Sequence, residues 1–311
     1  MKKEPKIGLA LGGGGAKGAA HIGVLKVFEK YGITISSIAG ASVGSIIGSA
    51  AAMGLKAEQI LEINKKFNTR KFIKISNFRL FSDSLIKAKD INKAIVDLVG
   101  EATFKDTVIP FLAVAVDLES GEEVVLREGK LWEAARASSA IPFIFSPQFF
   151  QGRYLVDGGL LNNVPVDHLR EQKDLDIIIG VELGGMTSRQ FISAMVWEKY
   201  FRKPKTFEIY PSLLTRLKQN TALMSHIMLR SIDILREKEQ NRRFEIAKPD
   251  VLMRPKVEAI SLLDFSKYKL GIQAGIDAAE DAMPKILKLI EQKKEELNRP
   301  ESSGSLEATQ N

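Results

Sequence analysis

The chain has 311 residues, of which 45% are hydrophobic and 27% are charged, and these values are typical of a globular protein with a substantial core. It contains no cysteine, which excludes a disulfide framework, thiolate metal sites and a cysteine nucleophile. The net charge is +7, and the excess lies in two segments: residues 56–93 carry ten Lys and Arg against four Asp and Glu, and residues 189–250 carry thirteen against seven. Each segment is either a solvated helix face or a contact with an anionic partner, either nucleic acid or phospholipid headgroups.

The first 54 residues alternate between predicted strands and helices. Short apolar runs predict buried strands at 6–11 and 33–39. Helical patterns follow them, an amphipathic one at 18–31 and one of small residues at 42–54. This alternation is typical of a parallel sheet that is covered by helices.

The alternation continues towards the C-terminus. Further strands are predicted at 111–117, 123–126, 154–156, 176–182 and 251–253, and further helices at 57–68, 89–99, 131–138, 191–243 and 271–290. We predict that Pro284 breaks or starts the last helix. The 191–243 helix carries a stripe of residues at helical spacing, namely Leu213, Leu217, Met224, Met228, Ser231 and Leu235.

These elements predict a single α/β domain over residues 1–297. It comprises a motif-bearing core at about 7–168 and a helical insertion at about 189–249, and a polar tail at 298–311 is predicted to be disordered. The first residues lack the apolar run of a signal peptide, and the apolar stretch at 38–55 is too short and small-sided to predict a membrane span. We therefore expect a cytoplasmic protein that is soluble or bound peripherally to a membrane.

The glycine loop, residues 12–18, follows a predicted strand and begins a helix, so its backbone N–H groups can face an anion. Gly13, Gly15 and Gly18 match the G-x-G-x-x-G pattern of a dinucleotide site. That site needs an acidic residue at the end of the second strand, where this chain has Gly-Ala-Ser at 40–42. The Ala-Lys-Gly of the loop also breaks the P-loop pattern, so both nucleotide interpretations are disfavoured.

Residues 40–44 read Gly-Ala-Ser-Val-Gly and lie between a predicted strand and a predicted helix. A nucleophile elbow holds its serine at such a turn, although a closely packed turn without any chemistry has the same pattern. The hydroxyl of Ser42 would need a base within hydrogen-bond reach to become a nucleophile.

Either a histidine or an aspartate could supply that base. The usual Ser-Asp/Glu-His order would require His168 or His226, while His21 is expected to pack or to face solvent. Asp157 follows a predicted strand and precedes two glycines, which leave room around its carboxylate. The residues alone leave these alternatives open.

Three motifs in this order resemble the patatin-like phospholipase family: Gly-Gly-Gly-x-Lys-Gly at 13–18, Gly-Ala-Ser-Val-Gly at 40–44 and Asp-Gly-Gly at 157–159. The stretches 19–25, 137–142 and 160–165 also resemble bacterial members, and the resemblance covers residues 7–168 well. It implies a three-layer α/β/α fold with a mainly parallel central sheet and a helical C-terminal region.

The resemblance further implies lipid acyl hydrolysis by a Ser-Asp dyad without a histidine. Ser42 would be the nucleophile, Asp157 the general base, and the oxyanion hole would consist of the backbone N–H groups of Gly13, Gly14 and Gly15. Supporting roles in the loops fall to Lys17, Gly18, Gly40, Gly44, Gly158 and Gly159. The chain departs from the family in one minor respect, because Gly12 stands where plant members often carry Asp.

The expected substrate is a phospholipid or another acyl lipid, with no cofactor, no metal site and no nucleic acid. Residues 65–81 interleave phenylalanine with lysine and arginine, which suits an anionic membrane interface, or else the aromatic side chains fold onto the core. Residues 189–249 are a second candidate for a membrane contact, or a lid. The alternative function is that of a patatin-like lipid-binding or regulatory scaffold with little hydrolytic activity.

Overall fold

The computed structural model of the chain describes residues 3–68, 88–142, 144–184 and 213–299. In these residues one sheet of eight strands forms the centre, with helices on both faces. The strands are β1 Ile7–Leu11, β2 Ser37–Ala41, β3 Phe111–Asp117, β4 Glu123–Leu126, β5 Gln148–Phe150, β6 Arg153–Asp157, β7 Ile177–Val181 and β8 Val251–Met253. The helices are α1 Ala19–Lys30, α2 Val43–Ala52, α3 Ala57–Asn68, α4 Ala88–Val99, α5 Leu131–Ser138, α6 Val166–Arg170, α7 Leu213–Ile246 and α8 Tyr268–Leu297.

The sheet is mainly parallel, as predicted. Strands β8, β7, β1, β2 and β3 pair in parallel in that order, while β4 and β6 pair with β3 in antiparallel fashion and β5 pairs with β6. Alternate side chains of the strands enter two separate cores. Leu9 and Leu11 of β1 pack in the larger core, and Ala10 between them packs in the smaller core beside α6.

The last helix, α8, packs on α1 with the two backbones in contact. A Cβ built on Gly23 of α1 would lie 2.1 Å from the carbonyl oxygen of Ile272, and one on Gly275 of α8 would lie 1.9 Å from the carbonyl oxygen of Ala20. Any larger residue at either glycine would therefore push the helices apart.

The prediction that Pro284 breaks or starts the last helix is wrong, because α8 runs through it from Tyr268 to Leu297. Proline removes one backbone hydrogen bond within a helix. The helix nevertheless continues because Ala279, Met283 and Ile286 around the proline are buried in the larger core.

The observed strands differ from the predicted ones in two places. The second strand is Ser37–Ala41 rather than 33–39, because Ile33 and Ile35 pack against the core from the preceding loop. The short strand β5 was not predicted. It has three residues, one of them buried, which is too few to show a periodic pattern.

The stripe predicted on the 191–243 helix faces solvent where the structure describes its side chains. Met228 and Leu235 are 48% and 67% exposed, whereas Asp233 and Gln240 are buried. The inner face of α7 is polar because it binds backbone and polar side chains at one end of the sheet: Gln240 accepts a hydrogen bond from the N–H of Val164 at 2.8 Å. Residues 191–212 of this prediction lie outside the described residues.

Several other sequence-based predictions fall partly outside the described residues. These are the segment 65–81 after residue 68, the segment 189–249 before residue 213, and the tail 298–311 after residue 299. Among the helices that the structure describes, none is both long and apolar enough to cross a bilayer.

Candidate active site

Ser42 occupies a strained turn between β2 and α2. Its φ of 52° and ψ of −126° place a non-glycine residue at positive φ, which costs backbone energy and is typical of a functional turn. The turn packs on the end of β1, where a Cβ built on Gly44 would lie 2.0 Å from the carbonyl oxygen of Leu11. Only glycine fits at this position.

The pairing of β3 explains how Asp157 reaches Ser42 across 115 positions of sequence. Strand β4 pairs with Ala113 to Val116 along one edge of β3, so β2 and β6 must share its other edge. On that edge Ala41 pairs with Val114, and Asp157 pairs with the next residue, Ala115. The ends of β2 and β6 therefore meet, with Ser42 directly after β2 and Asp157 as the last residue of β6.

Asp157 is a buried carboxylate beside Ser42. Its Oδ1 accepts the N–H of Gly159 at 2.8 Å. Burial raises the pKa of Asp157 to about 6, although the nearby hydroxyl of Ser42, the N–H of Gly159 and the charge of Arg236 oppose the increase. A carboxyl group with this pKa is ionised at neutral pH and is a stronger base than an exposed aspartate.

Residues Ser138 and Ala140 bind the backbone N–H groups of Ser42 and Asp157. The backbone N–H of Ser42 donates to the hydroxyl oxygen of Ser138 at 2.9 Å. The N–H of Asp157 donates to the carbonyl oxygen of Ala140 at 3.1 Å. No role for Ser138 was predicted, because its contact with Ser42 spans 96 positions of sequence.

The glycine loop lies against the same turn. The N–H groups of Gly12 and Gly13 donate to the carbonyl oxygens of Val181 and Asn163, at 3.0 and 3.2 Å. No hydrogen bond joins the N–H of Gly14 or Gly15 to another residue that the structure describes. Gly14 and Gly15 line the same pocket as Ser42, so their N–H groups are the ones available to a ligand there.

The sequence model of the family described as "Patatin-like phospholipase" matches residues 9–170, just over half of the chain. The chain belongs to this family. The three-layer α/β/α fold that the resemblance implied is confirmed.

Two curated relatives and one solved structure illustrate how far the patatin-like phospholipase likeness extends. An uncharacterized NTE family protein of Mycobacterium tuberculosis is 35% identical over 58% of this chain and 50% of its own length. Lysophospholipase NTE1 of Candida albicans is 28% identical over 93% of this chain but only 21% of its own length. Human GIVD cytosolic phospholipase A2 aligns with 94% of this chain and 60% of its own, with a TM-score of 0.51 and 11% identity, which concerns the fold alone. The chain spans half or less of the length of these curated relatives.

The glycines that the patatin-like resemblance assigns to supporting roles lie in close contact with neighbouring backbone or side-chain atoms. A Cβ built on Gly158 would lie 2.0 Å from the carbonyl oxygen of Val114. A side chain at Gly18, Gly40 or Gly159 would come within 2.2 to 2.7 Å of a neighbouring atom. These glycines allow the three motif loops to converge.

Lys17 of the glycine loop and His21 of the following helix α1 are both buried. Lys17 is buried, and this burial together with the charge of Arg236 lowers the pKa of its ammonium group. Nε2 of His21 lies 2.7 Å from the carbonyl oxygen of Gly12, so this nitrogen carries the proton and donates it. Burial lowers the pKa of His21 to about 4, so the ring is neutral at pH 7 and supports the loop.

A Ser-Asp/Glu-His order would require His168 or His226, and the structure describes the side chain of His168 only. His168 lies on α6, outside the pocket of Ser42, with its Nε2 2.9 Å from Glu123. Burial alone would lower the pKa of His168, but the carboxylates of Glu123 and Asp167 raise it. The side chain of His226, on α7, is outside the described residues.

Glu123, Asp167 and His168 have the side-chain spacing of a metal site, with ligand atoms within 4.8 Å of one another. However, Arg243 contacts both carboxylates, at 2.7 Å from Glu123 and 2.6 Å from Asp167. The guanidinium supplies the positive charge that a metal ion would bring. We therefore interpret this cluster as an ion-pair network that attaches α7 to β4 and α6.

The pocket at Ser42 and Asp157 combines apolar walls with one charged side. Its apolar side chains are Ile141, Pro142, Leu160, Ile232 and Leu262. Asp233 and Arg236 of α7 line it as well, although no local pattern predicts a role for either residue. The arrangement can hold an acyl group beside a serine hydroxyl and place an anion near a guanidinium.

Proposed function

We propose that the protein hydrolyses carboxylic esters of lipids through an acyl-enzyme, with Ser42 as nucleophile and Asp157 as general base. The observation that carries this proposal is that Ser42, at a strained backbone turn, and the buried carboxylate of Asp157 line the same pocket. Membership of the patatin-like phospholipase family and the apolar pocket support a lipid ester as the substrate.

The proposed reaction has two steps that use the same pair. Oγ of Ser42 attacks the ester carbonyl carbon while Asp157 accepts the hydroxyl proton, and the alcohol leaves after receiving that proton. Water then attacks the acyl-enzyme, Asp157 accepts its proton, and the fatty acid is released as Oγ recovers a proton. A base with a pKa of about 6 returns its proton readily at neutral pH.

The developing oxyanion needs donors that are already in place. We assign this role to the N–H groups of Gly14 and Gly15, because the N–H of Gly13 donates to Asn163. Gly13 then supports the loop, which differs from the expected set of three donors. Losing one such donor costs about 3 kcal/mol of transition-state stabilisation in other hydrolases. The N-terminus of α2, which begins beside Ser42, adds a smaller favourable field.

Product analysis of a mixed lipid extract tests the proposed function. The wild-type protein should release free fatty acids and the matching deacylated lipids, as measured by mass spectrometry. The Ser42→Ala variant should leave the extract unchanged. An unchanged extract with both folded proteins would instead favour the lipid-binding or regulatory scaffold.

The pH dependence of hydrolysis should follow the ionisation of Asp157. Because only the carboxylate accepts a proton, kcat/KM is expected to rise through a pKa of about 6 and then level off above it. Steady-state hydrolysis of a soluble short-chain ester between pH 4 and pH 9 measures this. A profile that stays flat from pH 4 to pH 7 would contradict Asp157 as the base.

We also propose contact with anionic membranes through the basic segments at 65–81 and 189–249. In the described part of the second segment, Met228 and Leu235 expose apolar side chains on the outer face of α7. Binding to vesicles that contain phosphatidylglycerol should exceed binding to neutral phosphatidylcholine vesicles in a sedimentation assay. It should weaken as salt rises from about 0.1 M to 1 M, which shortens the screening length from about 10 Å to 3 Å. Equal, salt-independent binding to both vesicles would reject the contact.

A further inference from the structure

Arg236 places a cationic group in the pocket that contains the catalytic pair. Helix α7 lies along one side of this pocket, where Ile232, Asp233 and Arg236 contribute to the wall. These residues are one and four positions apart, so they share the inner side of a single helical turn. The side chain of Arg236 is 16% exposed, so it is shielded from bulk solvent but open to the pocket.

The guanidinium of Arg236 is held in a defined position by two contacts. Its Nη2 donates to Oδ1 of Asp233 at 2.6 Å, and its Nη1 donates to Oδ1 of Asn163 at 3.3 Å. Asn163 also accepts the N–H of Gly13 through its carbonyl oxygen, which connects Arg236 to the glycine loop. These contacts use two of the five N–H donors of an arginine and orient the planar group before a ligand arrives.

The carboxylate that holds Arg236 is itself fixed by a second contact. Asp233 is 1% exposed, and Nη1 of Arg230 also donates to it at 2.9 Å. Asp233 therefore keeps the guanidinium of Arg236 at the pocket wall. A partly shielded cation of this kind attracts an anionic group more strongly than a surface arginine does.

We propose that Arg236 binds the phosphate group of a glycerophospholipid while the ester of the same molecule lies at Ser42. Arginine presents paired donors that match two phosphate oxygens. In a glycerophospholipid the phosphate and the acyl esters are attached to the same three-carbon glycerol unit, so one pocket can hold the phosphate and one ester. Ile141, Leu160 and Ile232 line the same pocket and suit the start of the acyl chain. This inference rests on the proposed ester hydrolysis and assigns to Arg236 the discrimination between phosphate-containing and neutral substrates.

The test compares two substrates that differ only in the phosphate-containing headgroup: 1-lauroyl-lysophosphatidylglycerol and 1-lauroylglycerol, both below their micellar concentrations. At pH 8, where Asp157 is ionised, Arg236→Gln should reduce kcat/KM for the phospholipid about 10- to 100-fold, mainly through KM. It should change kcat/KM for 1-lauroylglycerol less than about 3-fold, because that substrate has no phosphate group for Arg236 to bind.

Two further variants separate ligand binding from a structural effect. Arg236→Lys keeps the charge but loses the paired donors, so we expect about a 10-fold loss on the phospholipid alone. Arg230→Gln removes the other arginine that contacts Asp233 and is the matched control, since Arg230 does not line the pocket. It should leave the preference between the two substrates unchanged, and thermal denaturation checks that each variant is folded.

The outcomes for the inference and for the proposed function are distinguishable. Equal losses on both substrates, or no loss on the phospholipid in Arg236→Gln and Arg236→Lys, would overturn phosphate binding by Arg236 while leaving the ester hydrolase in place. Absence of Ser42-dependent hydrolysis of either substrate by the wild-type protein would overturn the proposed function and this inference with it.

Discussion

Replacing Ser42 with alanine is expected to lower the rate of ester hydrolysis by at least about four orders of magnitude, because the covalent step loses its nucleophile. The fold should remain intact, since the hydroxyl is removed from a turn that packs through glycine and backbone contacts. Fatty-acid release from a lysophospholipid measures the rate, and circular dichroism with thermal denaturation checks the fold.

Ser49→Ala provides the matched control for this variant. Ser49 lies on α2, is fully buried like its neighbours, and donates its hydroxyl only to the carbonyl oxygen of Ile46 in the described structure. Its replacement should keep hydrolysis within a few-fold of the wild-type rate. Substantial turnover by folded Ser42→Ala would show that another group is the nucleophile.

Replacing Asp157 with asparagine is expected to lower the hydrolysis rate by about 10²- to 10⁴-fold, the usual contribution of a general base. Asparagine has nearly the same shape and can still accept the N–H of Gly159, so the site should keep its geometry. Steady-state turnover at pH 8 measures the loss, and the rise in activity around pH 6 should disappear from any residual rate.

The same variant should be more stable than the wild-type protein above pH 6. Because burial raises the pKa of Asp157 from 3.8 to about 6, ionisation of the folded protein is penalised relative to the unfolded chain. The penalty is absent below pH 3.8, grows as the pH rises to 6, and reaches at most about 3 kcal/mol of unfolding free energy. Urea denaturation at pH 8 and at pH 4 should therefore show a gain for Asp157→Asn only at pH 8.

His168→Ala distinguishes the aspartate from the histidine alternative. His168 contacts Glu123 in the ion-pair network, away from the pocket, so its loss should reduce stability modestly and leave turnover nearly unchanged. Full activity of Asp157→Asn together with inactivity of His168→Ala would instead support a histidine base.

Local sequence patterns were enough to predict most of the fold. The apolar runs and helical spacings placed β1, β3, β4, β8 and the first five helices close to their observed bounds. The errors arose where tertiary packing outweighed a local rule. Pro284 lies inside a helix because its neighbours are buried, and the polar face of α7 turns inwards because it binds the loops at the end of the sheet.

The candidate site could be predicted only as far as its motifs extend. The turn at Ser42 and the Asp-Gly-Gly at Asp157 are visible in the sequence, but only the pairing of β2 and β6 with one edge of β3 brings them together. Ser138, Asn163 and Arg236 carry no local pattern that indicates a role. Their contributions depend on contacts across long stretches of chain, which spacing alone does not specify.

Covalent labelling with a fluorophosphonate, followed by intact-protein and peptide mass spectrometry, tests the activated Ser42 most directly. The wild-type protein should gain a single adduct on Ser42, because the serine oxygen displaces fluoride from phosphorus, and labelling should accelerate as the pH rises through about 6. Ser42→Ala should gain no adduct. Equal labelling of Ser42→Ala, or a folded wild-type protein that gains no adduct at pH 8, would contradict Ser42 as the nucleophile.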